Sequence, residues 1–338
     1  MADGCSCSAG IPYILYIMSL KRNIAGMSMK GGRKDNFFFC LLEHFDDGDR
    51  WFLRSLLQVK DEEDLAGDEA ISEWIKQYEI RQLVLDFPLT NPPCHECTLQ
   101  CPGVSKCSVV PVNEVRARID RLLQEDRAKV EQHPKTYERD RNDDDLEHRY
   151  PHHEHGREWH SKVPTMHILS RSFKRRLKRG LLPYWNRPLD YLIWTHYYDA
   201  LLKIFNQTYD SFGNTSLVII SRFSYLRRHF PQGLELFEGH ILLTLIEMVR
   251  ANLIQQQELQ NLYDIEQGKS VRVRIIQALE KKLNVFIYDH DMDILVKQPR
   301  AFESFLMAVA GICLHKKQTH PLPAWVGREG ANFIIPFF

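Results

Sequence analysis

Three carboxylates stand in apolar surroundings, where an uncompensated charge is costly and must be paired, protonated or bound to a cation. Asp86 closes the run Leu83-Val84-Leu85 and precedes Phe87-Pro88. Glu235 lies inside Leu234-Glu235-Leu236-Phe237. Glu303 is the single charge of Ala301–Leu314, with Leu306, Met307 and Ala310 three, four and seven residues further on. Each acid alone could face outward or pair with a basic residue. Together they could converge on Mg²⁺ or Mn²⁺, hard ions that prefer carboxylate oxygens. Carboxylate clusters holding such ions hydrolyse phosphodiesters, because the ions activate water and stabilise the leaving oxygen.

A second cluster is made of thiols. Cys94, Cys97, Cys101 and Cys107 follow the pattern C-x2-C-x3-C-x5-C. Such a set can enclose one tetrahedral Zn²⁺, and a closed four-cysteine site is structural because no position stays open for water. An iron–sulfur cluster is the alternative, with Pro102 after the third cysteine echoing ferredoxin spacing, and reduced thiols without metal are the third. The expected task of the site is to order the loop that follows Asp86.

Other chemistry-bearing residues are less sharply placed. His148, His152, His153, His155 and His160 sit in a polar, aperiodic tract that reads as solvated. The basic stretch Arg171–Arg179 could track phosphates or form a solvated helix face. Arg187, among Tyr184, Trp185 and Pro188, could reach a substrate phosphate, though a structural ion pair explains it as well. Lys30-Gly31-Gly32 offers a close backbone approach for a ligand but lacks the spacing of a phosphate-binding Walker loop. Asn206-Gln207-Thr208 and Asn214-Thr215-Ser216 are glycosylation triplets without consequence in a cytoplasmic protein.

The elements that must position these groups alternate between strand and helix. Asn23–Met29 reads as a strand, and Asp46-Asp47-Gly48-Asp49 separates the runs Asn36–Phe45 and Arg50–Val59 as a hairpin turn. Asp68–Tyr78 has helical periodicity, and Gln82–Asp86 is a short strand ending in an acid. Helices are predicted over Val112–Lys129, Leu189–Phe205, Thr215–Phe230, Ile241–Leu259, Ser270–Lys282 and Arg300–His315. Short strands are predicted at Gly233–Glu238 and Asn332–Phe338, with an apolar run at Asn284–Tyr288. This order implies an α/β fold with a mixed sheet. Residues 1–21 read as a flexible N-terminus, 22–338 as one domain, 92–108 as a Cys-rich loop and 131–163 as a polar, disordered insertion.

Composition sets the outer limits. The chain has 338 residues, with 44 Lys+Arg balanced by 44 Asp+Glu, so any contact with nucleic acid needs a local patch. The apolar stretch Ile11–Leu20 is too short to span a bilayer and lacks a basic segment before it, which argues against a membrane span and a secretory signal. Four of the eight cysteines crowd into residues 94–107, as metal sites do rather than as a disulfide framework, and a cytoplasmic protein is expected.

With these pieces in order, the chain resembles a family of uncharacterised proteins predicted to be RNase H-like nucleases. The resemblance rests on Ile24–Gly32, Leu83–Leu89, the Cys-Pro-Gly loop, Leu234–Phe237, Arg300–Phe305 and the tail Glu329–Pro336, and spans residues 22–338. It implies an RNase H-like sheet of three antiparallel strands followed by parallel ones, flanked by helices. It also implies a divalent-metal nuclease site, here Asp86, Glu235 and Glu303 holding Mg²⁺ or Mn²⁺ against nucleic acid, with Ser28 at the first-strand acid position and Lys30 offsetting phosphate charge. The chain departs from the pattern at three points. Ser28 replaces the first-strand Asp, which usually bridges two metals; Glu303 replaces the last-helix Asp; Glu238 replaces a Pro. A weakened nuclease, an inactive relative used for binding, and a redox protein built on the cysteines are therefore the three expectations.

Overall fold

The computed structural model describes residues 22–28, 37–46, 48–60, 67–132, 177, 182–205, 217–264, 266–327 and 329–338. Lys30, the His-rich tract, the glycosylation triplets, residues 1–21, nearly all of the 131–163 insertion and the basic stretch apart from Leu177 lie outside the described residues.

Six strands form one mixed sheet: β1 Arg22–Ser28, β2 Phe37–Phe45, β3 Arg50–Val59, β4 Gln82–Leu85, β5 Glu235–Glu238 and β6 Val285–Phe286. Their order across the sheet is β5-β4-β1-β2-β3-β6. β1, β2 and β3 are antiparallel neighbours, β4 lies parallel to β1, and β5 lies parallel to β4. The predicted hairpin is present, with Gly48 (φ 89°) and Asp49 (φ 45°) in the left-handed region that a tight turn uses.

Strand alternation sorts the apolar residues onto two faces. Ile24, Cys40, Leu42, Trp51, Leu53 and Val84 face the larger core. That core is covered by α3 (Pro188–Phe205), α5 (Ile241–Arg250), α6 (Gln267–Leu283), α7 (Asp289–Lys297) and α8 (Pro299–His315). Ala25, Met27, Phe39, Leu41, Leu83 and Leu85 face a smaller core against α1 (Gly67–Gln77) and α4 (Leu217–His229). The long α2 (Val110–Gln132) packs Val115 and Ile119 on Tyr191 and Trp194 of α3.

α8 is the central helix and is buried along nearly its whole length, from Ala301 to Cys313. It lies directly on β1 because Gly26 has no side chain there. A Cβ at Gly26 would overlap Ala308 N and Ser304 O. This close approach holds the Ser304–Ala308 part of α8 against β1.

Two predicted elements differ from the structure, and one helix is new. The helix expected over Ile241–Leu259 stops at Arg250, and a 3-10 turn follows at Gln256–Asn261. Asn252 adopts φ 56°, and Asn252 N and Leu253 N bond back to Val249 O and Met248 O, closing the helix as a left-handed cap does. The final strand at Asn332–Phe338 is instead a helical turn, Glu329–Asn332, followed by single bridges Phe333–Glu238 and Pro336–Thr319. Helix α7 was not predicted; it is short and opens with Asp289 and Asp291. No helix among the described residues is long and apolar enough to cross a membrane.

Candidate functional site

Parallel strands bring their carboxyl ends together, and here the ends of β1 and β4 are neighbours. Met27 pairs with Leu85, so Ser28 and Asp86 stand side by side one residue further on, where Asp86 N donates to Met27 O at 3.2 Å. Met27 and Leu85 face the smaller core, so alternation turns Ser28 and Asp86 to the face that α8 covers. Glu303 sits in the first turns of α8 and meets them there. Asp86 and Glu303 are 6% and 3% exposed, and Ser28 is fully buried.

Glu303 is held by three donors. Ser28 Oγ donates to Oε2 at 3.0 Å, Arg300 Nη1 lies 2.6 Å from Oε2, and Tyr263 OH donates to Oε1 at 3.4 Å. The Tyr263 residue is half-exposed, at 49%, while its hydroxyl points into the site. Its phenol is pushed well above the ordinary range, first by burial, then by the carboxylates of Glu303 and Asp86. One hydroxyl therefore senses both acids. Ser304 locks the arrangement: Ser28 N donates to Ser304 Oγ at 3.1 Å, and that hydroxyl lies 2.7 Å from Phe38 O.

Glu235 stands apart from this pair. It opens β5 opposite Gln82, four residues before Asp86 on the neighbouring strand, a separation of about 13 Å at ~3.3 Å per residue. It is exposed and accepts a hydrogen bond from Gln82 Nε2 at 3.2 Å. It lines a cleft of ≈ 240 Å³ with Arg22, Asn23, Glu79, Arg81 and His315, at the amino end of β4. The grouping of Glu235 with Asp86 and Glu303 is corrected accordingly: in the four-residue β5 the buried acid is Glu238, at the opposite end, 5% exposed.

Glu238 is occupied by Arg187. Arg187 Nη1 and Nη2 reach Glu238 Oε2 and Oε1, each at 2.8 Å, and Nη2 also reaches Asp190 Oδ1 at 2.8 Å. Asp190 in turn accepts from Arg187 N at 2.8 Å, capping the first turn of α3. Glu238 Oε2 accepts Leu89 N at 3.0 Å, and Arg187 Nη1 donates to Thr90 Oγ1 at 3.1 Å. Arg187 is thus a buried structural cation that ties the chain after Asp86 to β5 and α3. The i, i+3 spacing to Asp190 was the sequence signal for it.

The Cys-rich loop leaves the sheet just after this lock. Cys94, Cys97 and Cys101 are exposed, Cys107 is half-buried, and none forms a disulfide. The Cys94 thiol is pushed up by burial and then by Cys107, Cys101 and Cys97. Among the described residues, no group of three or more His, Cys, Asp or Glu side chains is arranged to hold a metal ion.

The donor set at the acidic site nevertheless suits one hard ion. Asp86 and Glu303 are buried carboxylates and Ser28 and Tyr263 add hydroxyls, all oxygen. Mg²⁺ commonly takes one or two protein carboxylates, leaving its other positions to water and substrate phosphate. No protein-family model, curated protein or solved structure matches the chain.

Proposed function

We propose that the chain is an RNase H-like protein whose acidic site, Asp86 and Glu303 with Ser28, takes one Mg²⁺ or Mn²⁺ and hydrolyses nucleic-acid phosphodiesters with reduced capacity. The observation that carries this reading is that Asp86, just past the end of β4, and Glu303, hydrogen-bonded to Ser28 at the adjoining end of β1, are both buried and both act on the Tyr263 hydroxyl. The strand order, with β3, β2, β1, β4 and β5 in succession and the first three antiparallel, supports the RNase H-like assignment.

Asp86 and Glu303 would be the ion's protein ligands. A bound ion there supplies Lewis-acid activation of the phosphodiester. The remaining roles belong to the chain itself. Arg300 is 37% exposed, so its guanidinium can leave Glu303 and meet a phosphate oxygen instead. Glu303 itself is buried, so this exchange is open only while a bound ion compensates its charge. Tyr263, with its hydroxyl inside and ring outside, can position a substrate at the rim. The test is cleavage of single- and double-stranded RNA and DNA and of an RNA–DNA hybrid in Mn²⁺, for the wild type and Asp86→Asn. Cleavage lost in the variant supports the reading; cleavage unchanged in Asp86→Asn removes Asp86 from it.

One observation favours a second reading, a catalytically inactive binding module of the same fold. Ser28 and Arg300 already satisfy Glu303 by hydrogen bond and charge. Nucleic-acid binding that persists without divalent ions and without turnover would select it.

A further inference from the structure

We propose that the half-exposed ring of Tyr263 is a stacking platform for an unpaired base, so that the acidic site takes single-stranded nucleic acid in preference to duplex. The inference rests on the nucleic-acid reading above and names the form of its substrate. A surface tyrosine normally packs its ring and turns its hydroxyl to water, since the ring is apolar and the hydroxyl is well solvated. Tyr263 does the reverse. It is 49% exposed, yet its hydroxyl donates to Glu303 Oε1 at 3.4 Å, and burial is the first cause of the upward push on that phenol. What it shows to solvent is therefore ring. Among the described residues no aromatic ring or cation stacks on it.

Isolated exposed rings are common and by themselves mean little. This one is held from both sides in the chain. Arg272 of α6 is 1% exposed and donates to Leu262 O at 2.6 Å and to Val296 O at 2.7 Å, which fastens the residue before Tyr263 to the end of α7. Gly268 leaves room for this contact, because a Cβ there would strike both Leu262 O and Arg272 Nη1. After Tyr263, Asp264 Oδ1 accepts Glu266 N at 2.9 Å and Gln267 N at 2.8 Å, locking the entry to α6. A ring fixed in advance loses little freedom when a flat ligand settles on it. Beside it, Arg300 holds the other oxygen of the same carboxylate through Nη1 and is 37% exposed. A guanidinium has five N–H donors, so others remain for a strand phosphate while Glu303 stays paired. An aromatic face for a base and a cation for the backbone are the parts with which proteins take single strands. In a duplex each base is covered by its neighbours, and only an unstacked base can lie on a side-chain ring.

The test is fluorescence anisotropy of the full chain with short single-stranded RNA and DNA, and with blunt duplexes of the same sequence, in the absence of divalent ions. Single strands should bind more tightly than duplexes. Tyr263→Ala should weaken single-strand binding by roughly 5- to 150-fold, while Tyr263→Phe, which keeps the ring, should bind as the wild type does. Ultraviolet cross-linking of a single strand carrying iodouracil, followed by mass spectrometry of the digest, should place the bound base on Tyr263. The proposal is overturned by a wild type that binds no single strand or prefers duplex, by Tyr263→Ala binding equally well, or by cross-links only at other residues. It is also overturned by a dimer that Tyr263→Ala dissociates, which would make a second copy the partner of the ring. The wild-type binding and cross-link decide the matter even if Tyr263→Ala does not fold. Because the test needs no cleavage, a lack of hydrolysis removes the nuclease reading and leaves the platform, whereas cleavage without preference for single strands removes the platform alone.

Discussion

Placing an acid at the end of β1 probes the site directly. Ser28 Oγ lies 3.0 Å from Glu303 Oε2, so in Ser28→Asp a second carboxylate enters within about 4 Å of Glu303. Two like charges at that distance repel by about 4 kcal/mol at an effective dielectric of about 20. The alternative is for the new acid to stay protonated. Holding a group of ordinary pKa ~3.9 neutral at pH 7 costs about 3 units at ~1.4 kcal/mol each, again about 4 kcal/mol. Both routes therefore predict the same loss, reduced somewhat by Arg300. A divalent ion removes the conflict. At a hundredfold excess over its dissociation constant it returns about 2.7 kcal/mol. The assay is urea unfolding of wild type, Ser28→Asp and the uncharged Ser28→Asn, each with and without Mn²⁺. Only Ser28→Asp should be strongly destabilised without Mn²⁺ and largely recovered with it. A Ser28→Asp protein that is as stable as the wild type without ion, or that gains nothing from Mn²⁺, would refute the geometry argued here.

Three further outcomes follow from the packing. Arg187→Met should cost about 3–5 kcal/mol in chemical unfolding, because it strands Glu238 and Asp190 as buried carboxylates without their cation; a loss below 1 kcal/mol would contradict that. Gly26→Ala forces α8 off β1 and should cost about 1–3 kcal/mol, read as a lowered unfolding midpoint. Glu247 gives a pH signature. Burial pushes its pKa up, but hydrogen bonds from His320 and Tyr197 and the charge of Arg250 outweigh it and hold it below the ordinary 4.5. A depressed carboxylate contributes stability that is fully present above its unfolded value and is lost as pH falls through the folded one. The wild type should thus lose stability below about pH 4.5 more steeply than Glu247→Gln, as measured by thermal melts from neutral to acid pH.

The sheet was legible because its signals are local. Apolar runs on either side of an Asp-Gly turn mark β2 and β3, a strand-like run before them marks β1, and an acid closing an apolar run marks the end of β4. Asp86 and Glu303 could be found for the same reason: each is the one charge in an apolar stretch, and burial of that stretch buries the charge. Glu235 shows where this logic stops. β5 reads Glu-Leu-Phe-Glu, with an acid at each end. Which end is buried depends on Arg187, 51 residues upstream in chain order, and no local pattern carries that pairing. The same holds for Tyr263, whose ring looks like surface while its hydroxyl completes the site. Helix α7 escaped because its Asp-rich first turn reads as loop, although acids there suit a helix amino end. The tail reads as a strand from its apolar content, but Phe333 and Pro336 bridge to different partners, Glu238 and Thr319, so no continuous ladder forms.

The most direct test of the acidic site is Mn²⁺ binding measured by electron paramagnetic resonance on the wild type and Asp86→Asn. The account predicts one Mn²⁺ bound by the wild type and loss of that ion in the variant, whose circular dichroism is unchanged. Absence of bound Mn²⁺ in the wild type, or equal binding by Asp86→Asn, would contradict it.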